Sequence, residues 1–205
     1  KVSLLSKVKN LDDSKNVFIE YPSTQTHILV GQPGVKRGDV DYFPLYVGNH
    51  ILGGGGMVSR LFEEVREKRG LSYSAYSYFS PMRFKGPFIA GLQTKTDQSD
   101  EAISVVLENI KNYIELGPTE EELISAKKNI IGGFPLRVDS NSKILNYVVV
   151  VGYYKLPLDY LRTFNSNVEA VTIEHIKDAF KRRLTVDNLV TVKVGTSTNN
   201  KNKEN

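Results

Sequence analysis

The sequence predicts an α+β domain in which several helices pack on one face of a mostly antiparallel β-sheet. Strand-like patterns occur near both ends of the chain and as a close pair in its first half, where they predict a hairpin. The helical patterns after this hairpin follow one another in a block and do not alternate with single strands, which favours α+β over α/β. The 205 residues, of which 40% are apolar, are sufficient for one large domain.

The N-terminal quarter contains two strand-like runs and the start of a helix. Residues 1–23 are interpreted as a lead-in from an upstream domain or linker, with one short strand-like run at 16–21. β-branched residues at 24–32 predict the first strand of the domain. Asp39 is placed to cap the helix that follows, because apolar residues then recur every three or four positions up to Ile51.

Four consecutive glycines lead into a short charged helix and then into the hairpin. Ser59 can cap this helix, and Gly70 is its C-terminal stop. Residues 71–79 alternate Leu, Tyr and Ala with serine, which predicts a strand with one apolar face, and residues 87–96 form its antiparallel partner. The glycine run, which is interpreted as exposed and mobile backbone, consists of Gly53, Gly54, Gly55 and Gly56.

Most of the second half of the chain is predicted to be helical. Thr119 and Glu122 form a capping box at the start of one of these helices. The predicted domain spans residues 24–195, and a polar, disordered tail follows at 196–205. The predicted elements of this half are helices at 100–116, after Thr119, at 140–154, after Pro157 and after Thr172, and a strand at 189–194.

Composition excludes several kinds of site. The chain has no cysteine, which rules out disulfides, thiolate zinc sites and a cysteine nucleophile. Its net charge of +4 comes from lysines and arginines interleaved with acids, so no basic stripe predicts nucleic-acid binding. No apolar run reaches the roughly 20 residues that a membrane span needs. The histidines, His27, His50 and His175, lie in no H-x-x-E-H or H-E-x-x-H motif, so this chain is not expected to bind a metal ion by itself.

The glycine run could be compared with a phosphate-binding loop. It lacks the G-K-[ST] ending of a P-loop, and a helix precedes it where a P-loop has a strand, which argues against nucleotide binding. Four glycines are costly in conformational entropy. Close approach of another chain is one explanation for them, and a plain flexible connector is the other.

Arg66 and Tyr73 are the candidate binding pair. They stand seven positions apart across the reversal at Gly70, so both side chains can reach one space. A guanidinium donates in a fixed fork and a phenol donates one O–H, and together they could hold a peptide carbonyl or the oxygen of a tetrahedral intermediate. Spacing alone favours the alternative, in which Arg66 pairs with Glu63 on its own helix and Tyr73 lies in the hairpin core.

Three stretches of sequence carry a family resemblance: TQTHILVGQPGVKRGDVDYF, LGGGGMVSRLFEEVREKRGLSY and FPLRVDSN. Together they resemble the C-terminal half of the pitrilysin/insulinase-type zinc metallopeptidases, which include the mitochondrial processing peptidase. The similarity extends from about residue 24 to residue 195. In that family two homologous α+β halves close like a clamshell on an unfolded peptide. The resemblance implies that this chain is the zinc-free half of such a clamshell.

The resemblance also implies which residues act. The family's arginine–tyrosine pair, which reaches the substrate near the zinc, corresponds to Arg66 and Tyr73. The glycine run corresponds to the glycine-rich, substrate-sensing loop of the processing peptidase's non-catalytic subunit, and it is shorter here. Zinc, with the H-x-x-E-H motif, is expected in a partner N-terminal half that is fused or separate, and the peptide is expected to bind extended, with sheet-edge hydrogen bonds.

Without the zinc-containing half this chain is expected to be inactive. A bacterial periplasm or cell envelope is the location that the family implies. Two other functions stay open: a structural or assembly subunit, which some family members have become, and an independent anion- or nucleotide-binding module.

Overall fold

A computed structural model describes residues 5–197, which form a five-stranded sheet and seven α-helices. The strands are β1 (Lys15–Glu20), β2 (Gln25–Pro33), β3 (Ser72–Phe79), β4 (Pro87–Lys95) and β5 (Val190–Gly195). The helices are α1 (Tyr42–Asn49), α2 (Arg60–Phe62), α3 (Ser99–Leu116), α4 (Glu120–Gly133), α5 (Asn141–Tyr154), α6 (Tyr160–Glu169) and α7 (Ile173–Arg183). α1 and α2 each continue as a π-helical turn, at His50–Gly54 and Glu63–Glu67.

The sheet has the strand order β1-β5-β2-β4-β3. β1 pairs with β5 in parallel, and the other neighbouring pairs are antiparallel. Alternate residues of β2 show which face the helices cover, because Ile28 and Val30 are buried while Leu29 between them is 45% exposed. The predicted α+β class, with helices on one face of a mostly antiparallel sheet, is confirmed.

The short run that the sequence analysis assigned to the lead-in is an edge strand of the sheet. Across the parallel ladder, Lys15 pairs with Val190 and Glu20 pairs with Gly195. The predicted boundary between lead-in and domain therefore cuts off a strand that belongs to the sheet. The local pattern could not show this, because the partner strand lies at the opposite end of the chain.

Only the first two residues of the predicted tail lie within the described range. The Thr196 hydroxyl accepts a hydrogen bond from the Ser23 amide at 3.0 Å and lies 2.9 Å from the Ser23 carbonyl oxygen. The end of the sheet is therefore tied to the segment that precedes β2. The disorder predicted for the rest of the tail concerns residues 198–205, which lie outside the described range, as do residues 1–4 of the lead-in.

Helix α1 begins later than predicted, at Tyr42. The Asp39 carboxylate accepts a hydrogen bond from the Asp41 amide at 3.1 Å in the turn before the helix, so it does not cap the helix itself. Both aspartates are paired with the end of α7. Arg182 donates to the two carboxylate oxygens of Asp41 at 2.7 Å each, and Arg183 donates to Asp39 at 2.7 Å.

The later helices begin where the sequence predicts. Thr119 opens α4 with the predicted capping box, and Thr172 caps α7 in a second box whose partner is His175. Val171 and Ile176, which flank this cap in the positions of a hydrophobic staple, are both buried. Within residues 5–197, no helix combines the length and apolar character that crossing a bilayer requires.

Candidate functional site

Arg66 lies at a tight reversal of the chain. The π-helical turn Glu63–Glu67 is followed by a reversal at Gly70, whose φ of +62° lies in the left-handed region that glycine adopts readily. The Gly70 amide donates to the Arg66 carbonyl oxygen, and the Leu71 amide donates to the Val65 carbonyl oxygen, both at 2.9 Å. Because Val65 and Leu71 are buried, they anchor the turn and leave the Arg66 side chain at the surface.

The Arg66 guanidinium lies against two aromatic rings. Its carbon atom is 4.3 Å from the ring centre of Tyr73 and 4.9 Å from that of Phe62. Its Nη1 also donates a hydrogen bond to the Tyr73 carbonyl oxygen at 3.2 Å. Cation–π contacts of this kind contribute about 0.5–1 kcal/mol each at exposed sites. The guanidinium is therefore held in place before any ligand arrives.

The alternative roles that spacing favoured are wrong. Glu63 pairs with Lys68 at 3.0 Å, and the acid that lies near Arg66 is Glu67, at 3.6 Å. Tyr73 is 81% exposed, so it does not belong to the hairpin core. Among the described residues, the Tyr73 hydroxyl has no hydrogen-bond partner and is free to bind a ligand. The structure brings the two predicted residues together, and their contact with a substrate stays a prediction.

Strand β3 presents a strip of tyrosines where the sequence predicted one apolar face. Ser72, Ala75 and Ser77 are buried, and the tyrosines between them point outward. Pairing with β4 is irregular between Ser72 and Ala75, which puts two consecutive residues on the outer side and shifts the alternation. The predicted apolar face is therefore wrong, because serines are buried at Ser72 and Ser77 while Tyr73 is exposed. The exposed tyrosine strip consists of Tyr73, Tyr76 and Tyr78.

The tyrosine strip borders the face of the sheet opposite the helices. Tyr76 and Tyr78 stack with ring centres 6.1 Å apart. Tyr76 also reaches across β4 at Gly91, where a Cβ atom would lie 2.6 Å from the tyrosine hydroxyl oxygen. Gly91 pairs in turn with the exposed Leu29 of β2. The row from Tyr76 to Leu29 thus forms a mainly apolar surface that is open to a peptide or to another protein.

The first glycine of the run is packed against a strand of this same chain. Gly53 and Gly54 belong to the π-helical turn after α1, and a Cβ atom on Gly53 would lie 2.5 Å from the Ser77 amide nitrogen. The Asn49 side chain donates to the Ser77 carbonyl oxygen at 2.9 Å and accepts from the Ser77 hydroxyl at 2.8 Å. The interpretation as exposed, mobile backbone is therefore wrong for Gly53, which is buried, and the close approach it permits is with β3. Gly56 is exposed.

Arg60, which the sequence analysis did not identify, connects the short helix α2 to the rest of the domain. Its Nε and Nη2 donate to the two carboxylate oxygens of Glu122 at 2.6 Å each, and Nη2 also donates to the Gly117 carbonyl oxygen at 3.1 Å. The guanidinium lies 5.0 Å from the ring centre of Tyr113. Burial alone would raise the pKa of Glu122, but hydrogen bonds from Arg60 and Thr119 lower that pKa overall.

Residues 5–197 contain no group of three or more His, Asp or Glu side chains placed to hold a metal ion. The histidines lie on separate elements, with His27 on β2, His50 in the π-helical turn after α1, and His175 in the first turn of α7. His175 also uses its Nδ1 to accept a hydrogen bond from the Thr172 amide at 3.3 Å. These residues do not fit a zinc site, and no step is assigned to a metal ion held by this chain.

Comparison with known proteins identifies the family. The sequence profile of the peptidase M16 inactive domain matches residues 6–130. The chain belongs to this family. A Helicobacter pylori protein named non-peptidase homolog YmxG is 34% identical over 182 residues, which cover 86% of this chain and 41% of that protein. A Bacillus subtilis protein named uncharacterized zinc protease YmxG is 30% identical over 167 residues, which cover 80% and 40%.

Solved structures have the same fold as this M16 inactive domain. The crystal structure of a peptidase M16 inactive domain from Pseudomonas fluorescens matches with a TM-score of 0.90 and 38% identity, covering 96% of this chain and 46% of that one. A Helicobacter pylori protease has the same fold, with a TM-score of 0.80 at 15% identity, covering 92% and 46%. The identification as the zinc-free half of this peptidase class is confirmed. The M16 inactive domain described here spans less than half the length of these relatives.

Proposed function

We propose that this M16 inactive domain is the zinc-free half of a zinc metalloendopeptidase and contacts the peptide substrate through Arg66 and Tyr73. The observation that supports the proposal is the arrangement of this pair, with the guanidinium carbon 4.3 Å from an exposed tyrosine ring. Apart from its bond to the Tyr73 carbonyl oxygen, the Arg66 side chain makes no hydrogen bond within the described residues. Donors on both side chains are therefore available to one ligand.

The free donors suit a carbonyl oxygen of a bound peptide. As the carbonyl carbon becomes tetrahedral, its oxygen gains negative charge, and donors already in place stabilise that charge without reorganising. The rings of Phe62 and Tyr73 limit the motion of the guanidinium, so little freedom is lost when the substrate binds. In this proposal the partner half supplies zinc and the glutamate base that activate water. This chain supplies orientation and hydrogen bonds.

The open face of the sheet suits one wall of a chamber for an extended peptide. The tyrosine strip and Leu29 offer apolar surface beside Arg66. At Ser77 the edge of β3 is covered by Asn49 and Gly53, so a peptide crossing there meets side chains and not free backbone. β1 forms the other edge of the sheet, and all of its residues except Val17 are exposed. We assign any backbone pairing by this half to β1.

A structural or assembly subunit is the second candidate function. The Helicobacter pylori relative is named a non-peptidase homolog, and the match covers 41% of its length. Under this alternative, Arg66 and Tyr73 only join the short helix to the hairpin. The two functions differ in one measurable respect, because substitution of Arg66 would then change stability and leave turnover unchanged.

Reconstitution with a zinc-containing half tests the proposal. That half would be sought upstream in the same reading frame and in the neighbouring frame through its H-x-x-E-H motif. Cleavage of an unfolded peptide mixture is expected only when both halves are present, and a chelator should abolish it. Zinc-dependent cleavage by this chain alone would contradict the proposal. The absence of an H-x-x-E-H half from both frames would favour the structural subunit.

A further inference from the structure

A cavity of about 450 Å³ lies beside the tyrosine strip, between α1 and the edge of β3. Tyr76 and Tyr78 of the strip line it, whereas Arg66 and Tyr73 do not. It is therefore separate from the pair to which substrate contact is assigned above. Its other polar side chains are Arg37, Tyr42, Tyr46, Asn49, His50, Ser77 and Arg137.

The cavity is cationic. Arg37 and Arg137 both line it, and none of the described residues that line it is an aspartate or a glutamate. Within residues 5–197, six of the nine arginines form ion pairs with acids, but Arg37 and Arg137 do not. Guanidinium groups without a carboxylate partner in a partly enclosed space are suited to bind an anion from outside.

A stacked pair of tyrosines holds the two guanidinium groups. Nη1 of Arg37 donates to the Tyr42 hydroxyl at 3.0 Å, and Nη1 of Arg137 donates to the Tyr46 hydroxyl at 2.5 Å. The two tyrosine rings are one helical turn apart on α1 and lie nearly parallel, with centres 5.9 Å apart. Both guanidinium groups are thus placed along one wall of the cavity before a ligand binds.

Two side chains that line this cavity each have a buried nitrogen atom without a hydrogen-bond partner among residues 5–197, Nε of Arg37 and Nε2 of His50. Buried donors in proteins are nearly always paired, with protein, water or ligand. Burial, and then the charge of Arg137, lowers the pKa of His50, so its imidazole is neutral at pH 7 and can donate from Nε2. Each of these nitrogen atoms is therefore a donor that an acceptor oxygen of a ligand could satisfy.

We propose that this cavity binds a carboxylate group carried by a peptide, either an acidic side chain or the C-terminal carboxylate. A planar carboxylate matches the fork of donors on a guanidinium. The apolar part of the wall, from Val35, Leu45 and Phe79, suits the carbon chain that carries the carboxylate. An organic acid therefore fits the cavity better than an inorganic anion does.

The choice of a peptide rests on the proposed function, because the tyrosine strip connects the cavity to the Arg66 pair. Tyr76 and Tyr78 stand three and five positions after Tyr73, which corresponds to about 10–17 Å along the strand. A peptide that crosses the strip would place a residue in the cavity several positions away from the bond that Arg66 contacts. The cavity would then select substrates by an acid at that distance.

The test measures binding to this chain by calorimetry. The probes are two peptides that differ only in having Glu or Gln at one position, each with a free or an amidated C-terminus. We expect a carboxylate-bearing peptide to bind about tenfold or more tightly than its neutral form, as for hydrogen bonds between charged partners. Inorganic phosphate is a separate probe. If it displaced the peptide with equal affinity, the assignment to a peptide carboxylate would be overturned.

Two substitutions test whether the cavity causes the preference for the charged peptide. Arg37→Gln and Arg137→Gln should each remove most of the preference for the charged peptide. Arg162→Gln is the matched control, because that side chain is 82% exposed on α6, and it should leave the preference unchanged. Arg37 also lies over the rings of Tyr42 and Tyr154, so circular dichroism must show that its variant is folded. Because Arg137 is exposed, its variant is a second test of the preference that does not depend on how well the Arg37 variant folds.

Three results would overturn the proposal: equal affinity for the Glu and Gln peptides, no detectable binding of any of them, or an equal loss in the Arg162 control. These results are distinct from failure of the proposed function, which is measured as turnover of the two-half enzyme. If substitution of Arg66 did not change turnover but the preference for the charged peptide remained, the cavity would still be assigned to carboxylate binding. If the two peptides bound equally but substitution of Arg66 lowered turnover, only the cavity proposal would fail.

Discussion

Arg66 and Tyr73 contact each other twice, through the guanidinium carbon 4.3 Å from the tyrosine ring centre and through a 3.2 Å hydrogen bond from Nη1 to the tyrosine carbonyl oxygen. These contacts use the ring face and the backbone of Tyr73 and leave its hydroxyl free. The arginine is thus held by parts of Tyr73 that a phenylalanine would also supply. Tyr73→Phe, which removes only the hydroxyl, therefore tests ligand binding without disturbing the contact between Arg66 and Tyr73.

Arg66→Ala should lower turnover of the two-half enzyme by roughly ten- to a thousandfold, because it removes a donor that acts on charge developing in the transition state. Tyr73→Phe should lower kcat within the same range, since the ring contact is kept and only the O–H is lost. Steady-state kinetics on one defined peptide measures both effects. Thermal melting should show that Tyr73→Phe folds as stably as the wild type.

Arg69→Ala is the matched control for the Arg66 substitution. Arg69 lies at the same reversal and pairs with Glu64 on the short helix, so it tests loss of an exposed arginine at nearly the same place. Its turnover should stay within about twofold of the wild type. If Arg66→Ala and Arg69→Ala had the same kinetics as the wild type, Arg66 and Tyr73 would have only a structural role.

Gly53→Ala should destabilise the domain by about 1–3 kcal/mol. The new Cβ would lie 2.5 Å from the Ser77 backbone nitrogen, which cannot move without disturbing β3. Gly132→Ala is the control, because Gly132 lies in α4 and a Cβ there meets no atom of the described part of the chain within 4 Å. It should stabilise the helix by about 0.5–1 kcal/mol. Urea denaturation measures the free energy of unfolding of both variants. If Gly53→Ala did not change this free energy, the end of the helix would be able to move away from β3.

Elements were predictable where the signal lies in a few neighbouring residues. The capping box at Thr119, the cap at Thr172 and the stop at Gly70 each depend on groups within about four positions. β-Branched residues located β2, and helical periodicity located α3, because each signal lies within one element. The contact between Arg66 and Tyr73 could also be anticipated, because only a short reversal separates them.

Features that depend on distant partners or on irregular backbone could not be predicted. No local motif marks the irregular pairing between Ser72 and Ala75, so the inward direction of Ser72 was missed. The cations of the cavity, Arg37 and Arg137, come from segments a hundred positions apart. Such residues come close together only in the folded chain, so neither periodicity nor composition can predict that they line one cavity.

Arg60→Ala should lower the free energy of unfolding by about 1–3 kcal/mol, because it leaves the partly buried Glu122 carboxylate without two donors. Arg162→Ala, whose ion pair with Asp159 is solvent-exposed, should change it by less than about 0.5 kcal/mol. Chemical denaturation at pH 7 measures both. A double-mutant cycle with Glu122→Gln should give a coupling energy of about 0.5–3 kcal/mol, and its absence would mean that the pair does not stabilise α2.

Asp41 should make the stability of the domain fall at acid pH. Its side chain is 5% exposed, and it accepts hydrogen bonds from Arg182 at 2.7 Å and from Arg183 at 2.6 Å. Burial alone would raise the pKa of Asp41, but the hydrogen bonds and charges of Arg182 and Arg183 lower it overall. The carboxylate is therefore more stable in the folded chain than in the unfolded one.

A carboxyl group whose pKa is lower in the folded state stabilises that state fully above its unfolded pKa, which for Asp41 is about 3.8, and ceases to do so as the pH falls through the folded pKa. Asp41→Asn should cost about 2–3 kcal/mol at pH 7, since Arg182 and Arg183 each lose the more buried of their two carboxylate partners. Below roughly pH 4 the difference from the wild type should shrink, because Asp41 of the unfolded wild-type chain then takes up a proton, which stabilises the unfolded state. Asp178→Asn, on the exposed side of Arg182, is the matched control and should have a much smaller effect at pH 7. Denaturation curves at pH 7 and pH 3 that show the same difference between wild type and Asp41→Asn would contradict this assignment.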